Sequence, residues 1–194
     1  MRIIDAIYPK KRLSEPTPSY RVYRYLLKDL KISYPDQVWR SDITYIRMRR
    51  GFAYLVAIMD WYSRYVLSWR LSISLDAQFC IEALKEALLV GKPEIFNSDQ
   101  GSQYTSDDFT SIFLSQGIPI SMDGRGRVFD NIFIERPWRT LKYEEVYLKD
   151  YADVWEAEDN IGNYFEFYNT ERCHSALDYK TPEWTAPLRL DRWG

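Results

Sequence analysis

Residues 52–59, FAYLVAIM, are an almost unbroken apolar run. A strand with one face in water alternates apolar and polar residues, so a run without alternation belongs to a strand covered on both faces. The chain must therefore lay secondary structure over each side of a central strand, which excludes a plain helix bundle and a one-sided sheet. The neighbouring segments fit that demand. Val38–Met48 reads as a strand through Val38, Ile43, Tyr45 and Ile46, and Tyr65–Ser72 as another. Gly51 and the stretch Asp60–Arg64 leave only tight connections, so the three strands are expected to pair antiparallel.

After Ser72 the apolar period changes from strand to helix. Phe79, Cys80, Ala83, Leu84, Ala87 and Leu88 recur at helical spacing, with Asp76 as the expected N-cap, Gly91 as the residue past the end and Pro93 as a stop. Glu94–Asn97 reads as a short strand. Thr105 or Ser106 caps a helix carrying Phe109, Ile112 and Phe113, which Gly117 ends. Ile118–Met122 is a fifth strand, and the loop Asp123–Arg127 (DGRGR) leads into a helix from about Asp130. A long helix, Val154–Tyr168, presents Val154, Ile161, Tyr164, Phe165 and Tyr168 to a core. The order predicts an α/β protein with a mixed five-stranded sheet flanked by helices.

Composition narrows the chemistry. The 194 residues suffice for one domain with an arm. Two cysteines without a CxxC pair and a single histidine exclude a thiolate zinc site or a poly-His centre within one chain, and make a Ser-His-Asp mechanism improbable. No apolar run is long enough to span a membrane, and the charged N-terminus is not a signal peptide, which points to the cytoplasm. Net charge is −2, yet residues 1–40 hold nine Lys/Arg against four Asp/Glu, and residues 151–194 hold four against nine. Residues 1–36 therefore read as a basic lead-in arm, with the proline-bearing linker PKKRLSEPTPS inside it; residues 37–187 form the core with its helical C-terminal extension, and 188–194 a tail.

Three carboxylates stand where carboxylates are uncomfortable. Asp42 lies inside a strand pattern, where Asp is depleted. Asp99 directly follows the short fourth strand, and Glu135 lies in the helix after the glycine loop. Brought together, such groups repel and raise one another's pKa unless a cation joins them. Oxygen donors suit Mg²⁺ or Mn²⁺, and a pair of such ions can run phosphodiester chemistry without a side-chain nucleophile. Each acid alone has an ordinary reading as a strand-edge, turn or surface-helix residue. The neighbouring Asp60 is read as a turn residue.

The residues around these acids resemble a known family. SDITY at 41–45, NSDQGSQYTS at 97–106, DNIFIERPWRTLKYEE at 130–145 and FYNTERCHSALDYKTP at 167–182 are similar to the catalytic core of insertion-sequence transposases, within the retroviral-integrase superfamily of DDE recombinases. The resemblance runs from about Tyr20 to Pro187. It implies a ribonuclease-H-like fold, and it implies that Asp42, Asp99 and Glu135 bind two Mg²⁺ (or Mn²⁺) ions. It further implies cutting of DNA at transposon ends and joining of the freed 3′-hydroxyl to a new phosphodiester, in a homo-oligomer assembled on DNA. The setting is then the nucleoid of a bacterium. Arg139 and Lys142 follow Glu135 by four and seven residues, on its helical face, and are candidates to grip phosphates, with helix salt bridges as the plain alternative. Ile134, Trp138, Leu141 and Leu148 are assigned to the core-facing stripe. Arg125 and Arg127 supply charge to the glycine loop, and Gln100 and Gln103, beside Asp99, are candidates to line the DNA path. His174 is read as structural.

Two departures carry weight. Relatives usually have helix-turn-helix segments upstream, and this chain begins almost at the core, as a fragment or decayed copy would. Pro137 stands two residues after Glu135; inside a helix it removes the bond to residue 133 and is expected to kink the helix, turning Arg139 and Lys142 away. The competing expectation is therefore an inactive transposase remnant that keeps its fold and weak binding to DNA or a partner. A nuclease that cuts without joining, and a two-carboxylate glycosidase, are more remote alternatives.

Overall fold

The computed structural model describes residues 21–124 and 136–186 in full and the backbone of 128–135. The central apolar run is strand β2 (Phe52–Asp60), flanked by β1 (Val38–Arg47) and β3 (Val66–Ser72). Helix α1 (Gln78–Val90), strand β4 (Ile95–Ser98), helix α2 (Asp107–Gln116) and strand β5 (Ile120–Met122) follow. Helix α3 (Val128–Glu144), helix α4 (Val154–Thr170) and the short α5 (Pro182–Thr185) complete the described chain. The sheet order is β3-β2-β1-β4-β5. The first three strands pair antiparallel, as their short turns require, while β4 joins β1 and β5 joins β4 in parallel. Each parallel connection carries a helix, because a parallel strand needs a crossover.

The unbroken apolar run has a simple cause. Leu55, Ala57 and Met59 enter one core with Ile46, Trp138, Leu141, Ile161 and Phe165, under α3 and α4. Val56 and Ile58 enter the other with Trp39, Phe79, Leu84, Phe96 and Phe113, under α1 and α2. Successive residues of β2 thus feed opposite cores, and full burial of each side chain is worth about 1.5–3 kcal/mol. This is the three-layer architecture that the run predicts.

Helix ends test the local expectations. Ser106 caps α2, its hydroxyl accepting from Phe109 N–H, and Gly117 ends it at φ 65°, a left-handed position that favours glycine. One expectation needs correction. The residue flanking α1 is Ala77, not Asp76, although the Asp76 carboxylate still accepts from the first helical N–H, at Gln78 (2.9 Å). Gly91 follows the end of α1 as expected, with extended backbone.

Residues 21–36 lie against the core. Arg21 N–H donates to the Thr105 carbonyl, Leu26 N–H to Ser121 Oγ, and Leu27 is buried. The linker at 9–19 and the tail at 188–194 lie outside the described residues. Among the described residues no helix is long and apolar enough to cross a membrane.

Candidate active site

Side chains on a strand alternate between faces, so Arg40, Asp42, Thr44 and Ile46 share the face of β1 that looks toward α3. The parallel pairing of β1 with β4 runs Val38 to Ile95, Trp39 to Phe96 and Arg40 to Asn97. Two residues further along both chains stand Asp42 and Asp99. β1 continues there, while β4 ends at Ser98 and leaves the sheet, opening a crevice at the carboxyl end of a parallel strand. The 56 intervening residues thus return Asp99 to the flank of Asp42, close enough that its charge raises the Asp42 pKa.

The electrostatics of this pair are unfavourable as they stand. Burial pushes the Asp42 carboxyl up to about 6, helped by the charge of Asp99 and opposed by the Ile43 N–H, the Trp138 indole and Arg40. Asp99 is exposed on one side, but the surrounding protein withdraws enough water to raise its pKa as well, with the charge of Asp123 adding to the effect. Gly101 N–H donates to Asp99 Oδ1 at 2.8 Å and pulls the other way. Gly101 also leaves room for that carboxylate: a Cβ there would stand 2.9 Å from Asp99 Oδ1, so the carboxylate would have to shift.

Asp42 is held from α3. Trp138 Nε1–H donates to Asp42 Oδ2 at 3.1 Å. Beneath the pair, Arg40 and Asp123 form a buried ion pair at 2.6 Å, and Asn97 Nδ2 donates to the other Asp123 oxygen. On the opposite face of β1, Ser41 Oγ and the buried Tyr104 hydroxyl bond at 2.9 Å. An open groove of about 330 Å³ runs from Asp42, Ile43 and Thr44 to Trp138, Arg139, Lys142, Tyr143 and Tyr147.

The expected site residues fare differently. Arg139 and Lys142 do line the groove with Asp42. The turning-away expected from Pro137 is corrected: α3 continues from Val128 to Glu144 through a buried Pro137, and both Arg139 and Lys142 line the groove with Asp42. Trp138 is core-packed as expected, but its indole N–H is committed to Asp42, a role the sequence reading missed. Leu148, assigned to the core stripe, is 75% exposed. Gln100 is exposed beside Asp99, whereas Gln103 is buried and donates to the Leu75 carbonyl, so its amide serves the fold rather than a surface path. Glu135 lies on the backbone of α3 with its side chain outside the described residues, and Arg125 and Arg127 lie outside them altogether. Among the described residues no group of three His, Cys, Asp or Glu is arranged to hold a metal ion.

The ordinary readings of the two other marked residues are met. Asp60 is fully buried, accepting from the backbone N–H groups of Asp36, Tyr62 and Ser63. His174 packs edge-on against Tyr168, 4.7 Å between ring centres.

Residues 33–127 match the integrase core domain family, and residues 116–182 match a second family of the same description. The chain is 35% identical over 157 residues to the transposase for insertion sequence element IS904 of Lactococcus lactis, covering 79% of this chain and 62% of that protein. It is 31% identical over 150 residues to the IS629 transposase of Shigella sonnei, covering 76% and 51%. To transposase InsF of IS3A from Escherichia coli K12 it is 33% identical over 162 residues, covering 81% and 56%. The chain thus spans between half and two thirds of the length of these curated relatives. In structure it is similar to the HTLV-2 integrase catalytic core domain in complex with magnesium, with a TM-score of 0.61 at 23% identity over 78% of this chain and 96% of that one. It is similar also to a chain of the simian T-cell lymphotropic virus intasome, with a TM-score of 0.69 at 20% identity over 87% of this chain and 60% of that one. These structural likenesses place the fold among ribonuclease-H-like integrase cores.

Proposed function

Because the chain belongs to the integrase core family of insertion-sequence transposases, we propose that it is the catalytic core of a DDE transposase, with Asp42, Asp99 and Glu135 as the triad. The observation that carries this reading is the parallel register that returns Asp99 to the flank of Asp42, both with raised pKa, with Asp42 lining a groove that Arg139 and Lys142 share.

The donor set fits a hard divalent cation. Asp42 and Asp99 offer only oxygen, and their repulsion is relieved by a positive charge between them. They would hold Mg²⁺ or Mn²⁺ with Glu135 from α3, two ions in all. Bound there, such ions activate the attacking oxygen and stabilise the leaving one. The chain's own residues do the rest. Trp138 fixes one Asp42 oxygen by its indole N–H, and the Ile43 N–H also bonds the carboxylate. Arg40 favours the charged form of both carboxylates, while its partner Asp123 opposes that at Asp99. Arg139 and Lys142 bind the phosphates flanking the reacting one. Tyr143 and Tyr147, both exposed with ring centres 5.3 Å apart, offer stacking faces to unpaired bases at a DNA end. The attacking group is water in cutting and a DNA 3′-hydroxyl in joining, so no protein nucleophile is consumed. The partners are transposon and target DNA and further copies of the chain, in the bacterial nucleoid.

The test is Mn²⁺ calorimetry followed by nicking and strand transfer on a pre-cut DNA end, with Asp99→Asn as control. Metal binding and joining, both lost in Asp99→Asn, are the expected result. Absence of Mn²⁺ binding at millimolar concentration would refute an intact site and leave the inactive remnant.

A further inference from the structure

On the other flank of α3 from Asp42 lies a second pocket, of about 400 Å³. Four arginines from three separate segments line it: Arg64 from the β2–β3 turn, Arg136 and Arg139 from α3, and Arg172 from the segment just after α4. The lining among the described residues includes no carboxylate; the hydroxyls of Thr140, Ser175 and Tyr179 complete its polar wall. Arg64 holds a left-handed backbone at φ 62°, which costs a non-glycine residue roughly 1 kcal/mol or more. Burial lowers its pKa, opposed by the neighbouring Tyr168, and the charge of Arg136 nearby adds to the lowering. Arg172 is bonded to Glu144 at 2.7 and 2.9 Å and contacts His174 Nδ1 at 3.3 Å, so it stands fixed at the pocket wall.

We propose that this pocket is a second phosphate-binding site, taking a backbone phosphate of the same DNA that enters the Asp42 groove. Guanidinium groups present paired donors that match phosphate oxygens, which a cluster of lysines would not do as well. Arg139 lines both the Asp42 groove and this pocket, so a strand gripped in the groove passes over α3 directly into it. Three chain segments would then be clamped across one DNA backbone, which gives the C-terminal stretch around Arg172 a share in holding substrate. The inference rests on the DNA-processing reading above.

The experiment is fluorescence anisotropy of a labelled DNA duplex against the full chain over a range of salt concentrations. Arg64→Gln and Arg136→Gln are each expected to weaken binding about tenfold and to flatten the salt slope by about one. Ser175→Glu, which keeps every arginine but adds a negative charge at the pocket wall, should weaken binding at least as much. Lys92→Gln removes an exposed charge on the loop after α1, far from the pocket, and should change affinity less than twofold. Unchanged melting temperatures separate these effects from misfolding. If the pocket variants bind DNA like Lys92→Gln, the proposal is overturned while the active-site reading stands. Pyrophosphate binding by calorimetry that is lost in Arg136→Gln, with DNA affinity unchanged, would make this a site for a free anion and overturn the proposal too. If the unmodified chain binds no DNA even at low salt, the DNA-processing reading itself falls.

Discussion

Replacing Asp42 by Asn should make the protein more stable, and by an amount that depends on pH. The folded-state pKa of Asp42 is about 6, against 3.8 for a free side chain. A carboxyl raised on folding favours the protonated native state, so its contribution is fully present below pH 3.8 and is lost as pH rises through 6. Integrating that difference gives a penalty of about 3 kcal/mol at pH 8 and about 1 kcal/mol at pH 4.5. Asn removes the charge while its amide oxygen can still accept from Trp138 Nε1–H, now 3.1 Å from Asp42 Oδ2. The variant should therefore gain about 3 kcal/mol at pH 8, or roughly 5–10 °C in Tm, and only about 1 kcal/mol at pH 4.5. Urea melts at the two pH values measure it. Addition of Mg²⁺ provides a second reading: at ten times its dissociation constant it should stabilise the parent chain by about 1.4 kcal/mol and the variant by much less. An equal stability change at both pH values would refute the reasoning, because a packing effect has no reason to titrate between them.

The other predictions follow from single contacts. Trp138→Phe removes the indole donor that lowers the Asp42 pKa, so Asp42 should titrate higher and the acid limb of the strand-transfer pH profile should move upward. Gly101→Ala puts a methyl 2.9 Å from Asp99 Oδ1, displacing that carboxylate; joining should fall at least tenfold with little change in Tm. Arg40→Ala leaves Asp123 buried without its partner and should cost about 3–5 kcal/mol, read from urea melts. Cys173 is exposed, while Cys80 is buried with its thiol pKa raised by burial, so a thiol reagent should label one cysteine in the native protein and two in denaturant.

The layers and strands were legible because apolar side chains report their surroundings locally. FAYLVAIM announces two cores, and the change of period after Ser72 announces the first covering helix. The position of Asp42 was legible for the opposite reason, as an acid out of place in a strand. Arg40, two residues earlier on the same face, is a charge equally out of place, and the same rule applied to it would have predicted a buried partner. What no window of sequence could supply is which residue answers. Asp123 is 83 positions from Arg40, and Trp138 is 96 from Asp42. Gln103 shows the converse error: a polar residue beside Asp99 looks solvent-facing until the Leu75 carbonyl, 28 positions away, claims its amide.

Pro137 shows why a local penalty does not settle a helix. The missing N–H at Pro137 forfeits one bond of α3, a cost of about 3 kcal/mol in an isolated helix interior. The residues just beyond it repay that tertiarily: Trp138 and Leu141 are both buried in the core shared with β1 and β2, and each is worth about 1.5–3 kcal/mol of apolar burial. Packing on that side holds the turn after the proline in register, and Arg139 and Lys142 are carried with it toward Asp42. The helix therefore passes through its breaker because the sheet beneath it, not the ladder within it, fixes its course.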